Sequence, residues 1–511
     1  MAITAASTSY DSPASISLAR RRLILVSGMI TVTLYFMTIL IVTAVMPQIQ
    51  GTMSATSDEV SWVVTFYLLA MAIVTPMTGW LVTSFGRKRT MCVCIAGFGI
   101  ATLMCGLSQS LEELVFWRIV QGGFSAPTLP LTQTVMLDIY PRELQRFAMG
   151  ATGMGSVVGP VIGPAMAGWL VETYSWRYAF YIMVPVCFVA LVGMVTALQA
   201  DRPKDHIRLD WTGFLSLSVS VGCLQYVLSR GQRLDWFDSN EIVISAMLAA
   251  LAFWIFLAHS LTSDEPFLDL RLLFNRNLTL GYILHSIFGM LAFTPMVLLP
   301  TLLRQHAEYP DTLVGWIVGS RGIGGLIGFF IAMWAERIDP RVSIGFGFTL
   351  LFLSGLWLMQ INLDVTPLEI MLNGMLQGFS VGIVIVPLTV ITFDGLDQNV
   401  RPAAMGMFHF LRNVASGLFI SFSVAEVVRS TGANYARMAE MVSEYNNVLA
   451  MSWVVGAWDY SSVQGLMRLS TEMTRQAAMI GYLNAFGWFT LFAALALPFA
   501  LLIGGPKRER P

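Results

Sequence analysis

Apolar residues run through this chain in long blocks separated by short polar connectors, and the blocks recur at the length of a membrane-crossing helix. Spanning the hydrocarbon layer takes about 20 mostly apolar residues. Fourteen stretches meet that condition: 23–46, 61–83, 90–108, 113–137, 145–170, 179–199, 210–229, 241–261, 277–303, 312–335, 341–361, 366–393, 403–428 and 477–503. The connectors hold most of the charge and many of the turn residues. The first block follows Arg20, Arg21 and Arg22. It is too long for a signal-peptide core and lacks a good cleavage site, so it is expected to stay as a helix. The pattern predicts an all-α polytopic membrane protein with fourteen transmembrane helices.

Composition narrows the class further. Charged residues make up 12% of the 511 positions, about half the share in soluble domains. Such a chain cannot cover a water-facing surface. A net charge of −1 argues against a basic nucleic-acid binder. The five cysteines lie in apolar runs, where they serve as small packing residues. Charge placement then tests the helix count, because cytoplasmic connectors gather Lys and Arg. With the N-terminus inside, nineteen of the thirty Lys and Arg fall in inside segments and eight in outside ones. The remaining three, Arg118, Arg321 and Arg412, fall within spans. Both basic termini are therefore expected in the cytoplasm. The longest outside connector, about 429–476, has room for short helices of its own.

The chain also repeats itself. Run 4 reads Arg118-Ile119-Val120-Gln121-Gly122 and run 12 reads Gly374-Met375-Leu376-Gln377-Gly378. Asp138 and Asp394 each follow the Gln by 17 residues. Ala148-Met149-Gly150 opens run 5 and Ala404-Met405-Gly406 opens run 13. The connector Gly79 to Lys88 has a faded echo in Glu336 to Arg341. Runs 2 and 10, 4 and 12, and 5 and 13 pair at a constant offset of eight, as duplicated transporter halves do. The expected division is a cytoplasmic tail 1–22, a six-helix bundle 23–200, two inserted helices 201–262, a second six-helix bundle 263–503 and a cytoplasmic tail 504–511.

Several motifs carry candidate chemistry. Gly79 lets two helices touch, and the cationic cluster with Gly86, Arg87 and Lys88 suits a latch on helix C-termini or acids, or plain positive-inside topology. A cation at membrane depth, as at Arg118, costs about 2.5–3.5 kcal/mol or more, so Arg118 is expected to face a polar interior with a partner. Gly155, Gly159 and Gly163 recur every four residues beside Pro160 and Pro164, a pattern for close helix contact and bending. His409 and Arg412 share one helix face, with Arg321 and His285 on neighbouring spans. Histidine titrates near neutral pH, so His409 is a proton-handling candidate or a satisfied interhelical contact. Asp138 and Asp394 sit at cytoplasmic span ends, each expected to pair with a nearby Arg. Glu426 lies near the outer rim.

Other pattern matches fail on context. Gly378-Phe379-Ser380-Val381-Gly382 lies inside a span, without the strand–turn–helix setting of a hydrolase elbow. Gly322 to Gly328 and Gly153 to Gly159 follow no strand, so they are not dinucleotide loops. No phosphate-loop motif occurs, and the five histidines show no metal-ligand spacing. No enzyme activity, metal or cofactor is expected.

These residues resemble the major facilitator superfamily, and within it the fourteen-span drug:proton antiporters. Gly79 to Lys88 is similar to the superfamily's gate motif, Arg118 to Gly122 to its proton-coupling motif, and Gly153 to Pro164 to its antiporter motif. Pro76 to Leu81, Gln121 to Pro141, Leu209 to Gly213 and Gly231 to Trp236 are most similar to EmrB-type pumps. The resemblance spans essentially the whole chain. It implies a multi-pass inner-membrane pump for hydrophobic, often weakly acidic drugs, working with a periplasmic EmrA-type membrane-fusion adaptor and a TolC-type outer-membrane channel. Two positions depart from the family pattern: Thr38 stands where helix 1 usually carries an acid, and Thr83 replaces the gate motif's Asp.

The expectation is a proton-driven exporter working by alternating access. Proton coupling is expected at Arg118, Asp138, Asp394, His409 and Arg412. The substrate cavity is expected to involve Phe36, Thr38, Tyr67, Met290, Phe293 and Phe379, with Gln121 and Gln377 as polar anchors. Gating falls to Gly79, Gly86, Arg87, Lys88, Gly155, Gly159, Pro160, Gly163 and Pro164. The competing readings are a dedicated exporter of a metabolite such as a siderophore or fatty acid, and a membrane sensor that transports nothing.

Overall fold

The structure is a computed structural model that describes residues 17–504 apart from 200–208, 232–233, 264–265, 336–337, 444–445, 450, 452–457 and 459–461. Both chain tails beyond it, the basic linker residues Arg202, Lys204 and Arg208, and the Glu336–Arg337 echo lie outside the described residues. So do Gln232 and Arg233 of the Gly231 to Trp236 stretch. Among the described residues no strand occurs.

In chain order the spans are α1 (Leu18–Met53), α2 (Glu59–Phe85), α3 (Arg87–Leu107), α4 (Leu111–Ser125, continued by Thr128–Ile139), α5 (Gln145–Thr173), α6 (Met183–Ala197) and α7 (Trp211–Arg230). They continue as α8 (Asn240–Thr262), α9 (Arg276–Gln305), α10 (Asp311–Trp334), α11 (Pro340–Leu358), α12 (Pro367–Thr392), α13 (Arg401–Ala439) and α14 (Val463–Leu502). All but α4 are long and apolar enough to cross a membrane, α6 when counted with the short preceding helix as Tyr178–Ala197. A turn at Ala126 and Pro127 breaks α4, where proline lacks the N–H that would continue the ladder. Caps fix several starts. Thr56 and Glu59 form a reciprocal capping box before α2, Ser110 caps α4, and Asp210 caps α7.

Two boundaries differ from the sequence pattern. Helix α1 starts at Leu18, so part of the expected 1–22 tail is already helical, with Ser17 as its cap. Helices α13 and α14 run for 39 and 40 residues and absorb much of the expected 429–476 connector. No proline lies between 403 and 462, so nothing in the covalent chain stops the helix when its surface turns polar.

Packing repeats at the offset of eight. The pairs α1–α5, α1–α6, α2–α4, α3–α4 and α3–α6 recur as α9–α13, α9–α14, α10–α12, α11–α12 and α11–α14. The fold is two matched six-helix bundles. Helices α7 and α8 pair with each other, and α7 lies against both α2 and α13. Small residues set the closest approaches. A Cβ on Gly159 would sit 2.5 Å from the Thr33 carbonyl of α1, and Gly155 and Gly163 touch the same helix at Met29, Thr33 and Met37. Pro160 and Pro164 lie within this α5 stretch.

Both described chain ends lie at one end of the molecule. Arg20 donates to the Ala197 carbonyl and Tyr140 to that of Arg21 at 3.3 Å, gathering the start of α1 with the ends of α4 and α6. Arg276 donates to Leu502 at 3.1 Å and Tyr282 to Ala404 at 3.1 Å, doing the same for α9, α13 and α14. This is the basic end.

Helix contact this close has a measurable cost when filled. A Cβ on Gly378 of α12 would meet the Arg321 carbonyl at 1.9 Å, whereas one on Gly345 of α11 meets nothing within 4 Å. Gly378→Ala is expected to lower stability by about 1–3 kcal/mol, and Gly345→Ala to leave it unchanged or raise it. Thermal melting of the two purified variants in one detergent checks the contrast.

Candidate functional site

Arg118 of α4 is wholly buried, so its donors need partners inside the protein. Its Nε donates to the Val63 carbonyl at 3.0 Å and its Nη1 to Gln121 Oε1 at 2.6 Å. Arg118 and Gln121 stand three apart on one helix face. The guanidinium carbon lies 4.0 Å from the centre of the Tyr67 ring, a cation–π contact. Gln121 Nε2 donates to Thr102 at 2.7 Å, and the Tyr67 hydroxyl donates to Ser125 at 3.0 Å. Helices α2, α3 and α4 are thus tied through a cation with neutral partners alone among the described residues. Gly122 permits this: a Cβ there would lie 2.4 Å from the Tyr67 carbonyl.

The second bundle builds the same unit from a different helix. Gln377 accepts from Arg321 Nη1 at 2.8 Å and donates to Asn373 Oδ1 at 2.9 Å. Asn373 in turn bonds Ser354 of α11. Arg321 Nη2 donates to the Ala292 carbonyl at 2.6 Å. Gly378 packs on the Arg321 carbonyl as Gly122 packs on that of Tyr67. Arg321 therefore holds the place of Tyr67, and Gly374 that of Arg118. The glutamine and glycine are kept while the guanidinium arrives from the opposite helix. The sequence repeat showed the glutamines but not this exchange, because Arg321 has no matching letter in the first half.

Between the bundles runs a seam. Glycines line it along α5, where Gly150 and Gly153 accommodate Met333 and Phe329 of α10. His409 of α13 shares a 2.6 Å hydrogen bond with Gln133 of α4. The His285 ring stacks on Phe408 at 3.6 Å between centroids. Arg412 binds the neighbouring Asn413 Oδ1 through Nε at 3.2 Å and Nη2 at 2.8 Å. Tyr35 of α1 reaches Arg412 and Asn413 across the seam, and Phe293 lies beneath the guanidinium at 5.8 Å. Tyr35, Gln133 and Asn413 were not marked by the sequence. Each is an ordinary residue whose role comes from facing the other bundle.

The basic end closes the seam with charge. The Asp138 carboxylate at the end of α4 binds Arg87 at the start of α3 and Arg401 at the start of α13. Its side chain is 5% exposed, against 8% and 13% for the arginines. Arg87 also donates to the Gln398 carbonyl at 3.0 Å. Arg146 donates to the Ala335 and Ile338 carbonyls. Gly79 lies against α13, where a Cβ would be 2.5 Å from that of Ala403. Gly86 makes the tight α2–α3 turn at φ 82°, a backbone region that favours glycine. Asp394 pairs with Arg142 at 3.9 Å, but Arg142 is 60% exposed, so this mirror pair is loose. Exposed pairs of that kind contribute about 0–1 kcal/mol.

The other predicted residues are dispersed. Thr38 donates to the Leu34 carbonyl at 2.7 Å and faces Met183 of α6 at 3.5 Å, away from Arg118. Arg118 is instead partnered by Tyr67, Val63 and Gln121. Thr83 bonds its own helix at Gly79. Lys88 is half-buried on the first turn of α3. Phe36 makes an edge contact with Tyr35 at 5.0 Å. Met290 and Phe379 are half-buried, and the Phe379 backbone fills the α10–α12 contact at Gly328. Among the described residues no cluster of His, Cys, Asp and Glu fits a metal.

Comparison with known proteins gives a consistent answer. Residues 28–420 match the family model of the Major Facilitator Superfamily. The chain is 32% identical over 442 residues to the multidrug export protein EmrB of Escherichia coli strain K12, covering 84% of this chain and 83% of that one. It is 29% identical over 464 residues to EmrB of Haemophilus influenzae, covering 90% and 91%. The crystallised proton:xylose symporter XylE superposes with a TM-score of 0.61 at 12% identity, covering 95% of this chain and 96% of that one.

The exchanged guanidinium predicts a rescue. Arg118→Gly strips a buried donor from Val63 and Gln121 and is expected to cost about 1–3 kcal/mol. Adding Tyr67→Arg copies the second bundle's arrangement and is expected to restore most of the melting temperature. Equal melting of the single and double variants would contradict the equivalence.

Proposed function

This chain belongs to the major facilitator superfamily, and we propose that it exports hydrophobic drugs and other toxic amphiphiles across the inner membrane, driven by protons moving inward. Relatives named multidrug export proteins, aligned over most of the chain, support the substrate class. The observation that carries the mechanism is the buried Asp138 carboxylate shared between Arg87 of one bundle and Arg401 of the other.

In this reading the basic end and both termini face the cytoplasm, as the distribution of Lys and Arg favours. The exporter is divided as the hydropathy suggests, into bundles 23–200 and 263–503 with inserted helices at 201–262. A proton entering from the outer side reaches Asp138 through the seam. Neutralising the carboxylate removes its attraction for both guanidinia, the cytoplasmic ends part, and substrate enters. Release of the proton to the cytoplasm re-forms the latch and turns the site outward. A membrane potential of 100 mV supplies about 2.3 kcal/mol per proton, equivalent to about a fiftyfold gradient. No nucleotide is needed.

The remaining residues take roles by position. Arg118 with Tyr67 and Gln121, and Arg321 with Gln377, hold each bundle rigid as it rocks. His409, bonded to Gln133 across the seam, relays the state of one bundle to the other. Asp394 is a secondary latch through Arg142. Gly155, Gly159, Gly163, Pro160 and Pro164 let α5 slide and bend against α1. Substrate lies between α1, α2 and α9, against Phe36, Tyr67, Met290 and Phe293; Thr38 and Phe379 flank it at most. The exported compound passes to a periplasmic EmrA-type adaptor and a TolC-type channel. The metabolite-exporter alternative shares this mechanism, and a non-transporting sensor does not explain a latch that neutralisation opens.

Drug-induced proton release from the purified protein tests the proposal. The wild type is expected to release protons on drug addition and Asp138→Asn to release none, with drug tolerance of a pump-deficient host falling to the level of empty vector at matched expression. Normal proton release by the Asn variant would exclude Asp138 as the carrier.

A further inference from the structure

Three guanidinia sit inside the membrane-spanning part of this molecule, and they are not held alike. Arg118 is pinned by a main-chain carbonyl and a glutamine amide of its own bundle. Arg321 is pinned in the same way by Ala292 and Gln377. Arg412 has no such anchor. Its guanidinium donates to the side chain of its sequence neighbour Asn413, and its other partner, Tyr35, belongs to the opposite bundle. When the bundles part, Arg412 is the cation that loses a partner.

Its surroundings favour a negative group. The titratable side chains facing it are Tyr35, His409 and His285, and among the described residues no carboxylate pairs with it. Asn413, like Arg412, is bonded to the Tyr35 side chain, so both lose that partner when the bundles part. The arginine stem crosses α9 at Gly289, where a Cβ would lie 2.4 Å from Arg412 Cγ, so the head is aimed by packing. The Phe293 ring below it supplies an apolar wall. A cation held by neutral groups alone at this depth is costly, and a neutral ligand leaves that cost in place, whereas an anion offsets it.

We propose that Arg412 is an anion-binding residue of the seam: an amphipathic organic anion sets its carboxylate on the guanidinium in place of the Tyr35 hydroxyl and lays its apolar body on Phe293. This deepens the export reading by naming a ligand class and a contact for it, and it removes Arg412 from the proton path.

Binding of radiolabelled 1-naphthylacetate and of its neutral amide to the full-length protein in nanodiscs tests the assignment. The wild type is expected to prefer the acid. Arg412→Gln is expected to weaken acid binding by about thirtyfold with the amide unchanged, Arg412→Lys to retain part of the preference, and Tyr35→Phe to strengthen acid binding. Absence of a preference in the wild type, unchanged acid binding in Arg412→Gln, or an equal but still measurable weakening of acid and amide would overturn it. If Arg412→Gln binds neither probe, Arg412→Lys decides: a retained preference for the acid supports the assignment and equal affinities overturn it. Normal drug-induced proton release with unchanged acid binding in Arg412→Gln removes this assignment alone. An acid preference lost in Arg412→Gln, with no proton release by the wild type, removes the export reading and leaves the site.

Discussion

One buried carboxylate, that of Asp138, joins the two bundles through charge at the basic end. Removing a single partner from such a buried group leaves uncompensated charge and typically costs about 3–5 kcal/mol. A proton does the same from the carboxylate side and is reversible. The rest of the seam is built to tolerate that event. Gly79 against Ala403 and Gly150 against Met333 are contacts of shape, without interdigitated large side chains on both faces, so separation there gives up little packing; the ion pairs and the few cross-seam hydrogen bonds, such as His409 to Gln133, are what must be broken.

Inside each bundle the opposite rule holds. Arg118 and Arg321 are cations made permanent parts of the scaffold by carbonyl, amide and aromatic partners, none of them titratable in the neutral range. Their exchange between an α4 and an α10 position shows what the duplicated fold requires. The need is for a guanidinium over the repeated glutamine, Gln121 or Gln377; the helix that supplies it differs between the two bundles. Thr38 fits the same account. With no acid on helix 1, Arg118 has no partner whose charge changes, which is why we assign proton sensitivity to the Asp138 latch.

Much of this was legible in the sequence because its physical causes are local or periodic. Hydrophobic length fixed the number of spans, including α4, which a break at Pro127 would hide from a length criterion. The glycine spacing of α5 announced a close helix contact, whose partner, α1, only the structure identifies. Arg87 and Asp138 could each be marked as a gate residue and a span-end acid, since charges near apolar blocks are rare. That Arg401 completes the triad was not legible, because the pairing depends on how one bundle meets the other. Tyr35 and Gln133 carry no unusual composition and acquire meaning only by facing across the seam. Helix ends were missed where polar residues continued a helix beyond the membrane, as in α13 and α14.

The account stands or falls on whether neutralising Asp138 separates the basic ends. Spin labels at the exposed positions Glu143 and Asn399 report that distance across the seam. Lowering the pH should shift the wild-type distance distribution from a short to a longer population, and Asp138→Asn should show the longer one at every pH. A short distance that changes neither with pH nor in the Asn variant would contradict the latch.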